Sequence, residues 1–171
     1  MNTPPESPRV LKLAAAASQC GQWRAEGQKI VFTNGVFDLV HRGHVTYLEA
    51  ARAAGDRLVV GLNSDDSVRT LGKGADRPIV PEQDRAFIIA ALRSVDAVVI
   101  FNGSTPLVLI DSLSPDVLVK GGDYDPDCSD PADPSYIVGR AEVLARGGAV
   151  KALDLVPGRS TTALAQRLKS S

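Results

Sequence analysis

The sequence predicts an α/β fold: a doubly wound parallel sheet of about five strands with helices on both faces. Two observations carry this. Short β-branched runs alternate with amphipathic helical stretches along almost the whole chain, the pattern of successive βαβ units. The strand runs are also apolar without a two-residue alternation, as expected where helices cover both sides of a parallel sheet. The 171 residues suit one such domain, and 44% hydrophobic with 23% charged residues is an ordinary globular composition.

The elements follow in order. Met1–Pro8 holds three prolines and no apolar run, so residues 1–9 read as a disordered tail preceding a domain over 10–171, and not as a signal peptide. Val10–Arg24, rich in Ala and Leu, predicts a helix ending near Gly27. Lys29–Thr33 is a buried strand that stops at the Asn34-Gly35 turn. Val45, Leu48, Ala51 and Ala54 recur at helical spacing, giving a helix over Gly43–Ala54 with Gly55 as its terminator.

Arg57–Leu62 is the second strand. Asn63–Val80, with Gly72, Gly74 and Pro78 among charged residues, reads as a long mobile loop. Pro81-Glu82 opens a helix that runs over Gln83–Val95, and Ala97–Phe101 is the third strand. A short helix at Thr105–Leu113, a strand at Asp116–Val119, a helix at Ser135–Arg146, a strand at Val150–Leu155 and a last helix at Thr161–Leu168 complete the alternation. Sheets of this kind bind ligands beyond the carboxyl ends of their strands, where the strand order reverses.

Composition excludes several partners. A net charge of -1 provides no field for nucleic acid or an anionic membrane, so phosphate binding has to be local. Apolar runs are strand-sized, which argues against a membrane span. Cys20 and Cys128 stand far apart, in no metal-ligand spacing, and a reduced cytoplasmic setting with inert thiols is expected. A GxGxxG fingerprint is missing after the first strand, which disfavours a dehydrogenase.

The chemistry centres on Thr33-Asn-Gly-Val-Phe-Asp-Leu-Val-His-Arg-Gly-His. It holds the only two histidines, three residues apart, on the first turn of a helix. Amides at a helix start attract phosphate, imidazoles beside them donate to the same anion, and Gly43 leaves room for close approach. A second phosphate-type segment is Gly158-Arg-Ser-Thr-Thr, where Ser160 is also a natural helix cap. Between them Val119-Lys-Gly-Gly-Asp-Tyr follows a strand, with glycines that permit close backbone approach and a positive charge at Lys120.

His41-Arg42-Gly43-His44, after a strand and before a helix, resembles the signature of the HxGH nucleotidyltransferase superfamily, whose domain is Rossmann-like. Together with Lys120–Tyr124, Asn63-Ser64-Asp65, Arg77-Pro78 and Gly158–Thr162, the chain from about Gln28 to Leu168 looks like the adenylyltransferases of ADP-heptose synthesis, which occur alone or fused to a sugar kinase. That resemblance implies ATP and D-glycero-β-D-manno-heptose 1-phosphate as substrates, with Mg2+ accompanying ATP and no dedicated metal site. It implies catalytic roles for His41, His44 and Lys120. Nucleotide contacts are implied for Thr33, Asn34, Gly35, Phe37, Asp38, Gly43, Asn63, Gly121, Asp123, Arg159, Ser160, Thr161 and Thr162. Sugar-phosphate contacts are implied for Asp38, Arg77 and Lys120, and a homo-oligomer is expected. A cytidylyltransferase acting on glycerol 3-phosphate would share the HxGH and Ser/Thr motifs, and a non-catalytic nucleotide-binding module is a third reading. Asp125–Pro134, with three prolines, departs from the family pattern over the sugar side.

Overall fold

A computed structural model describes residues 7–71, 77–122 and 124–158, together with Thr161 and Leu164. Five parallel strands, β1 (Ile30–Gly35), β2 (Arg57–Asn63), β3 (Ala97–Phe101), β4 (Val117–Gly121) and β5 (Ala149–Leu153), form one sheet in the order β3-β2-β1-β4-β5. This is the predicted Rossmann-like α/β arrangement. Helices α2 (Arg42–Arg52) and α4 (Glu82–Ala90) cover one face; α1 (Leu13–Ala25), α5 (Leu107–Leu113) and α6 (Arg140–Ala145) cover the other.

The pleat of β1 decides the split. Ile30 and Phe32 enter the layer beneath α1, α5 and α6, where they meet Trp23, Leu109, Ile110 and Val143. Val31 points the opposite way, into the layer that Leu48, Ala51 and Ile89 fill from α2 and α4. Both layers are fully shielded from water, as continuous apolar strands require. Because β1 is flanked by β2 and β4, reached by crossovers on opposite faces, the strand order reverses there and a crevice opens at the carboxyl ends.

Five expectations need correction. The first helix begins at Leu13 and not Val10, because residues 9–11 run extended beside β3: Val98 N–H donates to Arg9 O at 2.8 Å and Leu11 N–H to Val98 O at 2.9 Å. That pairing covers an edge strand that would otherwise present open amides. Gly55 does not end its helix through a left-handed conformation. A Cβ there would lie 2.7 Å from Val31 Cγ2 and 2.9 Å from Lys29 O, so its value is close approach to β1.

Asn63–Val80 is not one loop. Ser64 caps a short helix, α3 (Asp65–Thr70), accepting from Ser67 N–H at 3.1 Å, with Asp65 and Asp66 in the favoured first turn. The helix expected from Gln83 to Val95 ends at Ala90, where its carbonyls close a tightening last turn. The helix expected from Ser135 starts only at Arg140. Asp133 Oδ1 takes both the N–H and the hydroxyl of Ser135, an Asx turn that competes with the helix, and Gly139 at φ +91 lies outside helical space. The last helix lies outside the described residues apart from Thr161 and Leu164, as does the segment 72–76.

Candidate active site

A cleft of about 890 Å3 lies over the carboxyl ends of the strands at the crevice. Its floor is Asn34 and Gly35 from β1 and Lys120 and Gly121 from β4. His41, Gly43, His44 and Tyr47 of the α2 turn form one wall. Ser104, Thr105, Asp133, Pro134 and Tyr136 stand on the wall over the opposite sheet face.

His41 is the extended N-cap of α2, and His44 lies one turn on, so the two rings project from the same helix end. They stack at 4.0 Å between centroids and 18° between planes. Phe37 meets His44 edge-on at 5.4 Å. Burial, then the neighbouring His41, lower the His44 pKa from 6.5 to about 4, against a smaller opposing pull from Asp38. His44 is therefore a neutral imidazole at pH 7, and its buried Nδ1 has no hydrogen-bond partner among the described residues. Asn34 Oδ1 is buried in the same condition. Unsatisfied buried polar atoms are costly and rare, so two of them on the adjoining wall and floor of one cleft mark a place where a ligand completes the bonding.

The connection from β1 to α2 is held in an unusual shape. Phe37 (φ 50) and Leu39 (φ 48) both adopt left-handed backbone, a strained state for such side chains. Asp38, between them, is 3% exposed and accepts from Arg77 Nη1 at 2.8 Å, Ile79 N–H at 2.9 Å and Val80 N–H at 3.0 Å. Burial by itself would raise the Asp38 pKa. The amides of Ile79 and Val80 and the Arg77 guanidinium outweigh it and hold the carboxylate below its ordinary range. Thr161 reaches the same turn, donating its hydroxyl to Asp38 O at 2.9 Å.

Most of the residues singled out from sequence converge here. Asn34, Gly35, Phe37, Asp38, His41, Gly43, His44, Asn63, Arg77, Lys120, Gly121 and Thr161 all line the cleft. Thr33 does not: it is fully buried, and its hydroxyl shares a 2.7 Å hydrogen bond with Tyr47 Oη. Asp38 and Arg77 are bonded to each other, so the carboxylate fastens the chain at 77–80 and half-neutralises the arginine beside the cleft. Gly121 lacks a side chain for a packing reason, since a Cβ there would stand 2.8 Å from Leu155 Cδ2 and 3.0 Å from Tyr47 Cε2. Asp123, Arg159, Ser160 and Thr162 lie outside the described residues.

Two residues were missed. Tyr47 packs beneath the histidines, and burial pushes its hydroxyl up to about 12 despite the bond from Thr33. Its spacing of three from His44 was the available signal. Arg85, 1% exposed, ties Val36 O, Asn63 O, Val80 O and Asp65 together; an arginine on an amphipathic helix carries no sequence mark of burial.

Among the described residues no group of three or more His, Cys, Asp or Glu side chains could hold a metal ion, and no helix is long and apolar enough to cross a membrane.

Comparison with known proteins identifies the family. Residues 32–167 match the model of the family described as cytidylyltransferase-like. The chain is 51% identical over 165 residues to the bifunctional protein HldE of Methylobacillus flagellatus, covering 96% of this chain and 32% of that protein. It is 50% identical to the bifunctional protein HldE of Magnetococcus marinus with the same coverage. The chain thus spans about a third of the length of these relatives. Its fold is similar to the crystal structure of the lipopolysaccharide core biosynthesis protein from Thermoplasma volcanium, with TM-score 0.58 and 28% identity over 76% of this chain and 98% of that one. With its HxGH pair at the start of α2, the chain belongs to the cytidylyltransferase-like family of nucleotidyltransferases.

Proposed function

We propose that this chain transfers AMP from ATP to D-glycero-β-D-manno-heptose 1-phosphate, releasing pyrophosphate and giving ADP-heptose for lipopolysaccharide core synthesis. The observation that carries the transfer chemistry is the stacked His41–His44 pair at the start of α2, facing a cleft with buried polar atoms left for a ligand. Half-identity to the HldE proteins and the fold of a lipopolysaccharide core biosynthesis protein support the sugar. The cleft is polar where a sugar would need it, with Ser104, Thr105, Asp133 and Tyr136 on its rim. The setting we propose is cytoplasmic, where ATP is supplied, and the active form is a homo-oligomer.

An oxygen of the sugar phosphate attacks the α-phosphorus in line; the new P–O bond forms as the bond to the β-phosphate breaks, and its electron pair leaves with pyrophosphate. The attacking oxygen is already anionic, so no general base is required. What the protein contributes is position and charge stabilisation. Two stacked imidazoles cannot both carry protons cheaply until an anion arrives, so triphosphate binding would draw positive character onto the pair where charge accumulates. Lys120, at the end of β4, supplies a fixed positive charge from the opposite side of the floor. Arg159, Ser160 and Thr162 complete the phosphate contacts in this reading, and Asp123 contacts the nucleotide.

Magnesium fits this cleft as an ion carried in by the triphosphate, since the Asp38 carboxylate is already engaged by Arg77, Ile79 and Val80. When bound it neutralises phosphate charge, held chiefly by phosphate oxygens and water.

A pyrophosphate-release assay tests the proposal. ATP with heptose 1-phosphate should exceed CTP with glycerol 3-phosphate by at least about tenfold in kcat/KM, roughly 1.4 kcal/mol of transition-state binding. A site built to bond sugar hydroxyls rejects a smaller polyol that leaves them unpaired. Equal rates, or a preference for CTP, would remove the heptose assignment and leave the family's general chemistry.

A further inference from the structure

Arg85 is the largest fully buried side chain among the described residues and, with Asp38, one of the two buried ones that are formally charged. A buried guanidinium needs its donors filled. Nη1 donates to Val36 O at 2.7 Å and to Asn63 O at 2.9 Å, Nε to Val80 O at 2.8 Å, and Nη2 to Asp65 Oδ1 at 2.6 Å. Three of the four acceptors are backbone carbonyls, and each belongs to a different connection at the rim of the cleft: the turn after β1, the end of β2, and the segment leading into α4. One planar group therefore fixes three chain segments against one another.

The contact to Val36 has the most direct reach. Val36 immediately precedes Phe37, which is held at φ 50, and the Phe37 ring stands edge-on to His44. The contact to Val80 acts on the same turn from the other side, because Ile79 and Val80 amides bind the Asp38 carboxylate between the two left-handed residues. Backbone strain of this kind persists only where the surroundings over-determine it, and Arg85 is the group that joins both constraints.

We propose that Arg85 is a positioning residue for nucleotidyl transfer: through Val36 and Val80 it holds the 36–40 turn in its strained form, and so sets the placement of Phe37 and the environment of His44. It touches no reacting atom. The proposal rests on the reading of His44 as the group that meets the phosphates, but part of its test does not depend on which sugar is used.

The experiment uses the full chain with isotope-labelled histidine. Arg85→Lys keeps the charge but cannot span three carbonyls. Its fold is checked by circular dichroism and thermal melting, its kinetics by pyrophosphate release, and the His44 ring by NMR titration against pH, where His41, Asp38 and Phe37 are the groups that face it. A misplacement near 1 Å costs on the order of 10²-fold in rate, so kcat should fall between about tenfold and a hundredfold, with the KM for ATP changing less than about threefold. The His44 titration should move up towards its ordinary value. Asp65→Asn removes the negative charge of the side-chain partner but keeps an acceptor oxygen and all three carbonyl contacts, and should leave kcat and the titration within about twofold of wild type. A folded Arg85→Lys protein with normal kcat and an unmoved His44 titration overturns the proposal, and so does Asp65→Asn producing the same effects as Arg85→Lys. Should Arg85→Lys fail to fold, Phe37→Leu cuts the same line of contacts between Val36 and His44, and an unmoved titration in that variant overturns it. The titration is read in the absence of substrate. A protein that shows the His44 shift but no turnover with ATP and heptose 1-phosphate would therefore refute the proposed reaction and leave the positioning role intact.

Discussion

Replacing His44 by asparagine should change how stability depends on pH, and the sign follows from the direction in which its pKa is displaced. In the folded protein burial and His41 lower the His44 pKa from 6.5 to about 4, so between those values the unfolded chain binds a proton that the folded one does not. Stability then falls as pH drops from about 6.5 towards 4 and levels off below that. A tenfold difference in proton affinity between the folded and unfolded states is worth about 1.4 kcal/mol, which sets an upper bound of about 3 kcal/mol for the whole window. His44 is only partly shielded, at the edge of an open cleft, and solvent screening reduces this to about 1–2 kcal/mol. Urea unfolding of wild type and His44→Asn at several pH values from about 7.5 to about 4.5 measures it, with the difference between the two profiles cancelling contributions from other groups. Asp38 does not confuse the reading: its depressed carboxylate pKa stabilises the fold at higher pH, and that stability is lost only below its ordinary 3.8. Parallel profiles for the two proteins would refute the burial argument for His44.

In turnover, His44→Ala should lower kcat by about 10²–10³ with a much smaller change in the KM for ATP, as removal of a donor to developing charge typically does, and a variant keeping half of normal turnover would exclude that role. Lys120→Ala should reduce kcat/KM while shifting unfolding free energy by no more than about 1 kcal/mol, because the side chain lines the cleft and gives up a cation–π contact to the exposed Tyr124 ring; melting curves and pyrophosphate release separate the two. Asp38→Asn should cost about 3 kcal/mol in urea unfolding, since it breaks a buried pair with Arg77 and turns an amide donor towards one of the two backbone N–H groups that the carboxylate accepts from. Gly121→Ala should destabilise by about 1–3 kcal/mol in the same measurement, its new methyl meeting Leu155 and Tyr47 at 2.8 and 3.0 Å.

The features legible in sequence were those whose physics is local. β1 and β3 could be read because an uninterrupted β-branched run has few other uses, and the α2 start because two histidines and a glycine follow a strand and a tight turn. Features that depend on a distant partner were not legible. Arg9 reads as tail and Val10–Leu11 as the start of a helix until β3 needs an edge partner. Ser64 is a good N-cap, but the Asp, Gly and Pro around it argue for a loop, and only the packing of Val68 against the sheet end decides for helix. Thr33 sits in the motif and was read as a ligand contact, yet strand alternation turns it inward to Tyr47, away from the cleft its neighbour Asn34 lines. Arg85 is the extreme case, a charged residue whose four acceptors come from three separate stretches of the chain.

The two sides of the cleft are fixed by different means, and this bears on how transfer would be organised. The histidine side is over-constrained: Asp38, Arg77 and Arg85 bind the 36–40 turn, the end of β2 and residues 77–80 into one hydrogen-bonded unit, while α2 is seated on the sheet by Leu48 and Ala51. On the β4 side, alignment depends on packing and on Tyr47, whose hydroxyl meets Thr33 at 2.7 Å and lies 3.4 Å from Val119 O just before Lys120. Tyr47 is on the same helix as His44, so α2 carries both the histidines proposed to meet the phosphates and the contact that registers them against Lys120. In-line displacement places attacking and leaving oxygens on opposite sides of one phosphorus and tolerates little error in the separation of the groups around it. A single rigid helix that reports to both sides of the floor keeps that separation constant, whatever the loops around the cleft do.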